Sequence, residues 1–272
     1  MKGLLVYEAF EAVRNEDFIK RLILAAEQYG HTLQLVKHDE EEIPEADFVV
    51  FRARYPKLAK VLESKGMQLF NRAEVNVIAN DKYKTNQMAA LLGIPVVPTK
   101  KIRNIQDITS YPTVLKTVDG HGGQEVVLCQ NEVSAREFIS LHSERELIAQ
   151  TFIESGSSDV RVFVIGDSIE GAVKRTGIDS FKSNVMLGGK AEVYELAEWQ
   201  REQVIKIAQA VKSDYIGLDF LLLPDGTWLF NEMEDPVGAR SYFMTTKKDI
   251  AVPIMAHIHS KLIEKEEQKT NG

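Results

Sequence analysis

Three acidic residues in the last third of the chain have the types and the spacing of a metal site. Asp219 falls in a predicted strand over 218–223, and Glu232 and Glu234 lie at the end of the next strand. Because side chains alternate along a strand, Glu232 and Glu234 face the same side, and Asp219 can lie across from them. Carboxylates among apolar residues need partners, and Mg²⁺ takes such oxygen ligands. The alternative is a set of ordinary surface acids.

A lysine followed by a glycine-rich turn is the second candidate site. Lys116 lies at the end of a predicted strand, and Gly120, Gly122 and Gly123 follow it. Glycine lets backbone N–H groups approach phosphate oxygens, and lysine adds a point charge. The glycine spacing is neither that of a P-loop nor that of a dinucleotide-binding fingerprint. The pattern is compatible with a phosphate site, with a simple hairpin turn as the alternative.

Cationic side chains scattered along the chain form a third candidate set. As a group they could neutralise a triphosphate inside an otherwise acidic protein. Any one of them is equally compatible with a solvated side chain. The set comprises Lys82, Arg161, Lys174, Arg175, Lys182 and Arg240.

The elements that must position these residues change character along the chain. Short apolar strands and one amphipathic helix predict a small parallel α/β unit in about the first seventy residues. Further on, helices are predicted near 81–92, 199–211 and 250–262, the last followed by a frayed tail. A capping-box spacing over 134–137 predicts another helix start. Two hairpins are predicted, from 160 to 174 and from 218 to 232.

Composition limits the classes of function. The chain has 272 residues, 40 Asp+Glu against 33 Lys+Arg, and a formal net charge of -7. This acidic balance argues against a surface that coats nucleic acid. The single cysteine, Cys129, cannot form an internal disulfide. No apolar run approaches the ~20 residues of a membrane span, and no signal-peptide pattern is present. We therefore expect a cytoplasmic protein without nucleic-acid or membrane partners.

In order and spacing, these motifs resemble those of ATP-grasp ligases, most closely the RimK-like branch of ribosomal-protein glutamate ligases. The resemblance runs from about residue 45 to 245. It includes Asn80-Asp81-Lys82 with Gly93-Ile94-Pro95 and Pro98-Thr99, similar to the family's D-K … G-I-P-x-P-x-T pattern. It also includes Phe181-Lys182-Ser183-Asn184 with Gly188-Gly189, similar to F-R-S-N … G-G.

The resemblance implies roles for the matched residues. ATP phosphates would be bound by Lys82, by Lys116 and by a lid loop that contains Gly120 and Gly123. A hinge whose backbone contacts adenine would comprise Gln150, Thr151, Phe152 and Ile153. Asp159 would lie near the ribose, and further nucleotide contacts would come from Lys174, Lys182, Ser183 and Asn184. The catalytic group would be Lys116, Arg175 and Asn184. Mg²⁺ or Mn²⁺ would be held by Asp219, Glu232 and Glu234.

Three positions depart from the family pattern. Thr151 stands where the family usually has Glu, so one adenine contact differs. Glu234 stands where the family usually has Asn, so a carboxylate replaces an amide among the metal ligands. The segment 235–240 (Asp-Pro-Val-Gly-Ala-Arg) replaces the usual N-A-S-P-G. Because the acceptor substrate is usually met there, the resemblance does not transfer the family's substrate to this chain.

The implied fold is α/β with an α+β C-terminal part: an ATP-grasp fold in three subdomains. These are an N-terminal α/β domain over 1–79, a central lid subdomain over 80–153 and a metal-carrying subdomain over 154–272. The implied reaction couples a carboxylate to an amine through an acyl phosphate, with release of ADP and phosphate. Arg240 and Arg52, or else Arg54, would clamp the substrate carboxylate.

Other functions remain open at this stage. The chain could be an ATP-binding module that regulates a partner without catalysis, or an ATP-grasp kinase that phosphorylates a small molecule. The substrates could be small carboxylates and amines or a peptide or protein tail. The sequence also leaves a homo-oligomer open.

Overall fold

The computed structural model describes residues 1–123, 125–177 and 189–270, and within these ranges the strands form three β-sheets. Each sheet takes its strands from one stretch of the chain, and the sheets follow one another in sequence. The predicted domain divisions after residues 79 and 153 fall between the sheets. Those divisions stay a prediction, because one hydrophobic core joins the first sheet to the last.

The N-terminal sheet is parallel, with strand order β2-β1-β3-β4. Its strands are β1 (Lys2–Tyr7), β2 (Thr32–Lys37), β3 (Phe48–Phe51) and β4 (Gln68–Phe70). β3 is buried along its whole length, as expected for a parallel strand covered on both faces. The covering helices are α1 (Ala9–Arg14), α2 (Glu16–Gln28), α3 (Pro56–Ser64) and α4 (Ala73–Ala79). The predicted small parallel α/β unit is confirmed.

The central sheet is antiparallel and carries the glycine-rich turn. Its order is β5-β8-β6-β7, with β5 (Thr99–Ile102), β6 (Thr113–Thr117), β7 (Val126–Cys129) and β8 (Leu147–Thr151). Helix α5 (Lys82–Leu91) precedes it and begins at Asp81, whose carboxylate accepts a hydrogen bond from the Lys84 N–H at 2.9 Å. The turn between β6 and β7 is the candidate phosphate loop. A 3₁₀ helix (Ile105–Asp107) and α6 (Glu132–Leu141) complete this part.

The C-terminal sheet is antiparallel and carries the acids. Its order is β11-β10-β9-β12-β13. The strands are β9 (Ser158–Ile165), β10 (Ser168–Thr176), β11 (Lys190–Val193), β12 (Tyr215–Leu222) and β13 (Trp228–Glu234). The helices are α7 (Glu198–Val211), α8 (Arg240–Thr245) and α9 (Ala251–Thr270). Both predicted hairpins, β9–β10 and β12–β13, are present.

The last helix packs against the first unit. Met255 and Ile258 of α9 are buried in the same cluster as Leu22 and Ala26 of α2 and Leu5 of β1. Burial of such side chains contributes about 1.5–3 kcal/mol each. The two ends of the chain are therefore held together by a shared core.

Two local predictions were wrong. Helix α6 begins at Glu132 and not at the predicted capping box, because the Asn131 side chain already accepts hydrogen bonds from the Val133 and Ser134 N–H groups. Helix α9 continues to Thr270, so the predicted fray after residue 262 is helical. Among the described residues, no helix is long and apolar enough to cross a membrane.

Candidate active site

A cleft of ≈ 300 Å³ lies where parts of all three sheets meet. Its walls include Arg54 after β3, Lys116 of β6, the loop at Gly120 and the acids of β12 and β13. This volume is at the lower end of the range usual for small-molecule sites. The cleft therefore brings together the three candidate sites that the sequence separates along the chain.

The three acids converge at one side of this cleft. β12 and β13 pair so that Asp219 lies opposite Glu232, and a bulge follows between Asp219 and Phe220. One carboxylate oxygen from each of Asp219, Glu232 and Glu234 lies within 4.8 Å of the others. Asp219 is buried and the two glutamates are half-buried. An all-oxygen donor set of three carboxylates fits Mg²⁺ or Mn²⁺, which prefer hard ligands.

Arg161 of β9 joins two of these acids. β9 lies beside β12, and Arg161 is in register with Asp219. The guanidinium donates to both carboxylate oxygens of Asp219, at 2.7 and 2.6 Å, and to Glu234 at 2.6 Å. Such bidentate charge-assisted contacts are among the strongest hydrogen bonds in proteins.

A second arginine, Arg175 of β10, binds the carboxylates of Asp159 and Asp219. It donates to both oxygens of Asp159, each at 2.7 Å, and to Asp219 at 2.8 Å. The structure therefore places Asp159, predicted to lie near a ribose, against an arginine. The predicted catalytic residue Arg175 lies between two buried acids. Both roles stay predictions.

The two predicted phosphate lysines are both near enough to Glu232 to act on its charge. Lys82 Nζ is 3.6 Å from the Glu232 carboxylate and also donates to the carbonyl oxygen of Gly120. Lys116 Nζ donates to the Asn231 side chain at 3.1 Å. Lys82 starts helix α5 and Lys116 lies on β6, so the close approach depends on tertiary folding.

The charges in the cleft shift the pKa values of its members. Burial alone would raise the pKa of Asp219, but Arg161 and Arg175 outweigh it and lower the pKa to about 2. Burial lowers the pKa of Lys116 to about 8, against the opposing effect of Glu232. The Glu232 carboxyl has a lowered pKa because its nearby lysines outweigh burial. At neutral pH these acids are ionised and Lys116 is mostly protonated.

The predicted lid loop needs glycine at the positions where it turns. Gly122 and Gly123 have φ of 64° and 73°, a region that side chains with a Cβ rarely adopt. At Gly120 a Cβ would lie 2.3 Å from Thr117 Oγ1 and 2.7 Å from Glu125 Oε2. The Thr117 hydroxyl donates to Glu125 at 2.7 Å across the base of the loop.

The predicted adenine hinge spans the last two residues of β8 and the two residues after it, and it borders the cleft. Gln150, Thr151, Phe152 and Ile153 all line it. The Gln150 side chain is turned away from solvent and donates to Thr99 Oγ1 at 2.9 Å. Thr151, the position that departs from the family pattern, is exposed.

Two arginines after β3 occupy different environments. Arg52 is buried and donates to the Tyr7 hydroxyl at 3.2 Å and to the Val237 carbonyl at 2.5 Å. Arg54 is half-buried and donates to the Pro236 carbonyl at 3.3 Å. Both line the cleft, but only Arg52 of the two is buried and hydrogen-bonded inside the protein.

Arg240, at the start of α8, also borders the cleft and is exposed. One guanidinium nitrogen donates weakly to the Arg14 carbonyl at 3.4 Å. Arg54 therefore lines the cleft together with the segment 235–240, which departs from the family pattern and ends at Arg240.

Some predicted residues lie elsewhere. Lys174 Nζ contacts Glu192 of β11 at 3.1 Å, and Lys174 is not among the described residues that line the cleft. The predicted nucleotide contacts Lys182, Ser183 and Asn184 fall outside the described residues.

A buried polar network behind the acids was not predicted. Asp235 is 2% exposed, and its carboxylate accepts hydrogen bonds from Asn71 at 2.9 Å and Asn76 at 3.0 Å. Asn80 donates to the Asp235 carbonyl at 3.0 Å. The i, i+4 spacing of Asn76 and Asn80, around the end of α4, was the available signal. This network fixes the strand end that carries Glu234 to the N-terminal unit.

Comparison with known proteins identifies the family to which this chain belongs. The model of the RimK-like ATP-grasp domain matches residues 71–258. The chain belongs to the RimK-like ATP-grasp family. It is 30% identical over 208 residues to a probable alpha-L-glutamate ligase of Haemophilus influenzae, covering 72% of this chain and 68% of that relative. It is 27% identical to a probable alpha-L-glutamate ligase of Vibrio cholerae, covering 93% and 94%.

Solved structures share the fold of this RimK-like chain. The D-cycloserine synthetase DcsG superposes with a TM-score of 0.80 at 17% identity, over 96% of this chain and all of that one. The ATP-grasp ligase PsnB in complex with a minimal precursor superposes with a TM-score of 0.70 at 16% identity, over 96% and 98%. The predicted ATP-grasp fold is confirmed, and the chain is an ATP-grasp ligase of the carbon–nitrogen class.

Proposed function

We propose that this RimK-like chain activates a substrate carboxylate with ATP and joins it to an amine through an acyl phosphate. The observation that supports the proposal most is the convergence of Lys82, Lys116 and the acids Asp219, Glu232 and Glu234 in one cleft. Lysines provide point charges for phosphate, and clustered carboxylates bind hard cations. A cleft of this composition suits a metal-bound nucleoside triphosphate.

The residues of the cleft would bind the nucleotide from end to end. The hinge at 150–153 would border the adenine, and the loop at Gly120–Gly123 would cover the phosphates. Lys82 and Lys116 would offset their negative charge. Mg²⁺ or Mn²⁺, held by Asp219, Glu232 and Glu234, would neutralise charge on the phosphate oxygens. The protein contributes little covalent chemistry to phosphoryl transfer, so position and electrostatics dominate.

The reaction would then proceed in two steps. A substrate carboxylate oxygen attacks the γ-phosphorus, the bond to the β–γ bridging oxygen breaks, and ADP leaves. The amine nitrogen then attacks the acyl carbon and loses a proton, and the carbon–oxygen bond to phosphate breaks. Closure of the glycine loop would exclude the water that hydrolyses an acyl phosphate. Arg54 and Arg240 would hold the carboxylate substrate at the other wall of the cleft.

The substrate is proposed to be an amino acid or a peptide. Two relatives are named as probable glutamate ligases, and the ATP-grasp ligase PsnB, which has the same fold, was solved with a precursor peptide. Either choice provides a carboxylate and an amine. Either could present its carboxylate to Arg54 and Arg240, which line the cleft.

A screen of acceptors tests the proposal. The protein is incubated with Mg·ATP and pooled amino acids and dipeptides, and ADP release and mass gain are measured together. The expected result is ADP release that depends on a substrate and a product heavier by one condensed unit. ATP binding without turnover in any pool would contradict the ligase mechanism. A phosphorylated but uncondensed product would indicate a kinase.

A further inference from the structure

Two of the three acids proposed to hold metal, Asp219 and Glu234, are bound by arginine in this structure, and this arrangement bears on how metal and nucleotide bind. We infer that Arg161 and Arg175 are resident counter-ions of the acidic site, and that they make a divalent cation and the nucleotide bind jointly. The inference rests on the proposed function, since it concerns the same metal and nucleotide. It adds a role for two arginines that the proposed reaction does not use.

The contacts of Arg161 occupy the oxygens that a metal would need. Both oxygens of Asp219 accept hydrogen bonds from Arg161, at 2.7 and 2.6 Å, and Glu234 accepts another at 2.6 Å. One Asp219 oxygen also accepts a bond from Arg175 at 2.8 Å. Two of the three candidate ligands are therefore already paired with arginine, and a cation must compete with a guanidinium for them.

Burial makes that competition costly. The side chains of Arg161 and Asp219 are 10% and 2% exposed, and that of Arg175 is 9% exposed. Separating a buried ion pair so that one charge remains without a partner is strongly unfavourable. A cation that displaced Arg161 from Asp219 would leave the guanidinium buried beside further positive charge. The metal alone is therefore expected to bind weakly.

The nucleotide provides the missing partner. Arginine presents a planar set of donors that matches phosphate oxygens as well as carboxylates. With a triphosphate in the cleft, Arg161 can exchange its carboxylate partners for phosphate oxygens, and the carboxylates are then available to the cation. Binding of the nucleotide thus makes binding of the cation more favourable, and binding of the cation makes binding of the nucleotide more favourable.

The acids of the site are all paired before any ligand enters. Arg161 and Arg175 contact Asp159, Asp219 and Glu234, and Lys82 lies 3.6 Å from Glu232. A divalent cation alone must compete with these partners for the carboxylates. A triphosphate that enters with the cation offers the displaced cationic side chains phosphate oxygens to bind.

The test measures binding of each ligand without the other, by isothermal titration calorimetry. The wild type is compared with Arg161→Gln, titrated with MnCl₂ in the absence of nucleotide and with AMP-PNP in EDTA. We expect Arg161→Gln to bind Mn²⁺ at least tenfold more tightly and metal-free AMP-PNP at least tenfold more weakly. These changes lie within the ~5–150-fold range of coupling between two sites. A residue with only a structural role would weaken both.

Arg136→Gln is the matched control, since it removes a guanidinium paired to Glu132 on exposed α6. It should change neither affinity. If Arg161→Gln does not fold, the wild type still provides a test by differential scanning fluorimetry. MnCl₂ alone and AMP-PNP in EDTA should each raise its Tm little, and the two together should raise it by more than the sum.

Each outcome decides the inference. Tight Mn²⁺ binding to the wild type without nucleotide, or Tm shifts that simply add, would overturn it and leave the ligase proposal intact. Joint binding in a protein that condenses no substrate would support it and remove the proposed reaction. Failure to bind either ligand in any combination would overturn both.

Discussion

Asp219 lies at the centre of the site, where it contacts both buried arginines and approaches Glu232 and Glu234. We expect Asp219→Asn to reduce turnover more than ~100-fold, the upper end of what changing a partner of a metal ligand costs. An amide keeps the size of the side chain but removes the negative charge. Steady-state ADP release measures the effect.

Asp225→Asn is the matched control, because Asp225 lies in the exposed turn of the same hairpin and accepts bonds only locally, from Thr227. It should leave turnover unchanged. Circular dichroism separates a lost reaction from a lost fold. If Asp219→Asn retained turnover, the acidic site would not be the metal site.

Arg54 and Arg52 are two residues apart, yet the structure predicts different roles for them. Arg54→Gln should raise KM for the carboxylate substrate about 10–100-fold, because a hydrogen bond to a charged group contributes about 1.5–3 kcal/mol. Its Tm should change little. Arg52→Gln removes bonds to Tyr7 and Val237 from a buried site, so it should lower Tm.

Kinetics and thermal unfolding of both variants make the comparison. A rise in KM for Arg52→Gln with an unchanged Tm would return the clamp to Arg52, as the sequence first indicated. If Arg52 and not Arg54 holds the substrate carboxylate, the rise in KM should appear in Arg52→Gln and the loss of Tm in Arg54→Gln.

At the scale of elements, the loop between β6 and β7 must adopt backbone conformations that only glycine takes easily. Gly122 has φ of 64°, and a Cβ there would contact nothing within 4 Å. We expect Gly122→Ala to lower kcat about tenfold, because 1–2 kcal/mol of backbone strain changes the population of a closed loop by about that factor. Steady-state kinetics with saturating ATP measures this.

Gly226→Ala is the matched control. Gly226 has φ of 84° in the β12–β13 turn, and its Cβ would also contact nothing within 4 Å. Gly226→Ala should lower the free energy of unfolding by about as much as Gly122→Ala does, but it should leave kcat unchanged. Equal kinetics for both variants would mean that the β6–β7 loop is not a lid.

The strands of the site could be predicted from sequence, but their register could not. Alternation along β12 and β13 predicts Asp219, Glu232 and Glu234 on one face. The contact of Arg161 with Asp219 depends on β9 lying beside β12, and that of Arg175 with Asp159 depends on the register of the β9–β10 hairpin. Pairing of β9 with the distant strand β12 leaves no local pattern, so from the sequence the counter-ions are visible only as scattered cations.

Helix boundaries show the same limit. The capping-box spacing that begins at Ser134 predicts a start for α6 three residues later than the structure has it, because Asn131 is also a good N-cap residue. The structure uses Asn131, whose side chain accepts two backbone N–H groups. Helices α3 and α4 were not predicted at all, because short helices have few turns in which an apolar stripe can be recognised.

At the scale of the whole molecule, the two ends of the chain share a core and a polar contact. Met255 and Ile258 of α9 are buried with Leu22 of α2, and Arg21 forms an ion pair with Asp249 at 2.9 Å. His31 and His259 are joined across the same boundary by a hydrogen bond of 3.0 Å between Nε2 and Nδ1. The N-terminal unit and the C-terminal sheet should therefore unfold together.

His31 makes that joint stability depend on pH. Its ring is 5% exposed, and burial lowers its pKa below 6.5, helped by the N-terminal amine and by His259. A histidine with a lowered pKa in the folded state binds its proton more readily when unfolded. Its contribution is therefore complete above the unfolded pKa of about 6.5 and is lost as the pH falls below it.

We expect the Tm of the wild type to fall more steeply between pH 7.5 and about 5.5 than that of His31→Gln, which cannot titrate but can still donate to His259. Scanning calorimetry at several pH values measures the difference. His142→Gln, at the end of α6 and packed on Phe138 of its own helix, should follow the wild-type curve. Parallel curves for His31→Gln and the wild type would show that the contact between the two ends does not respond to protonation of His31.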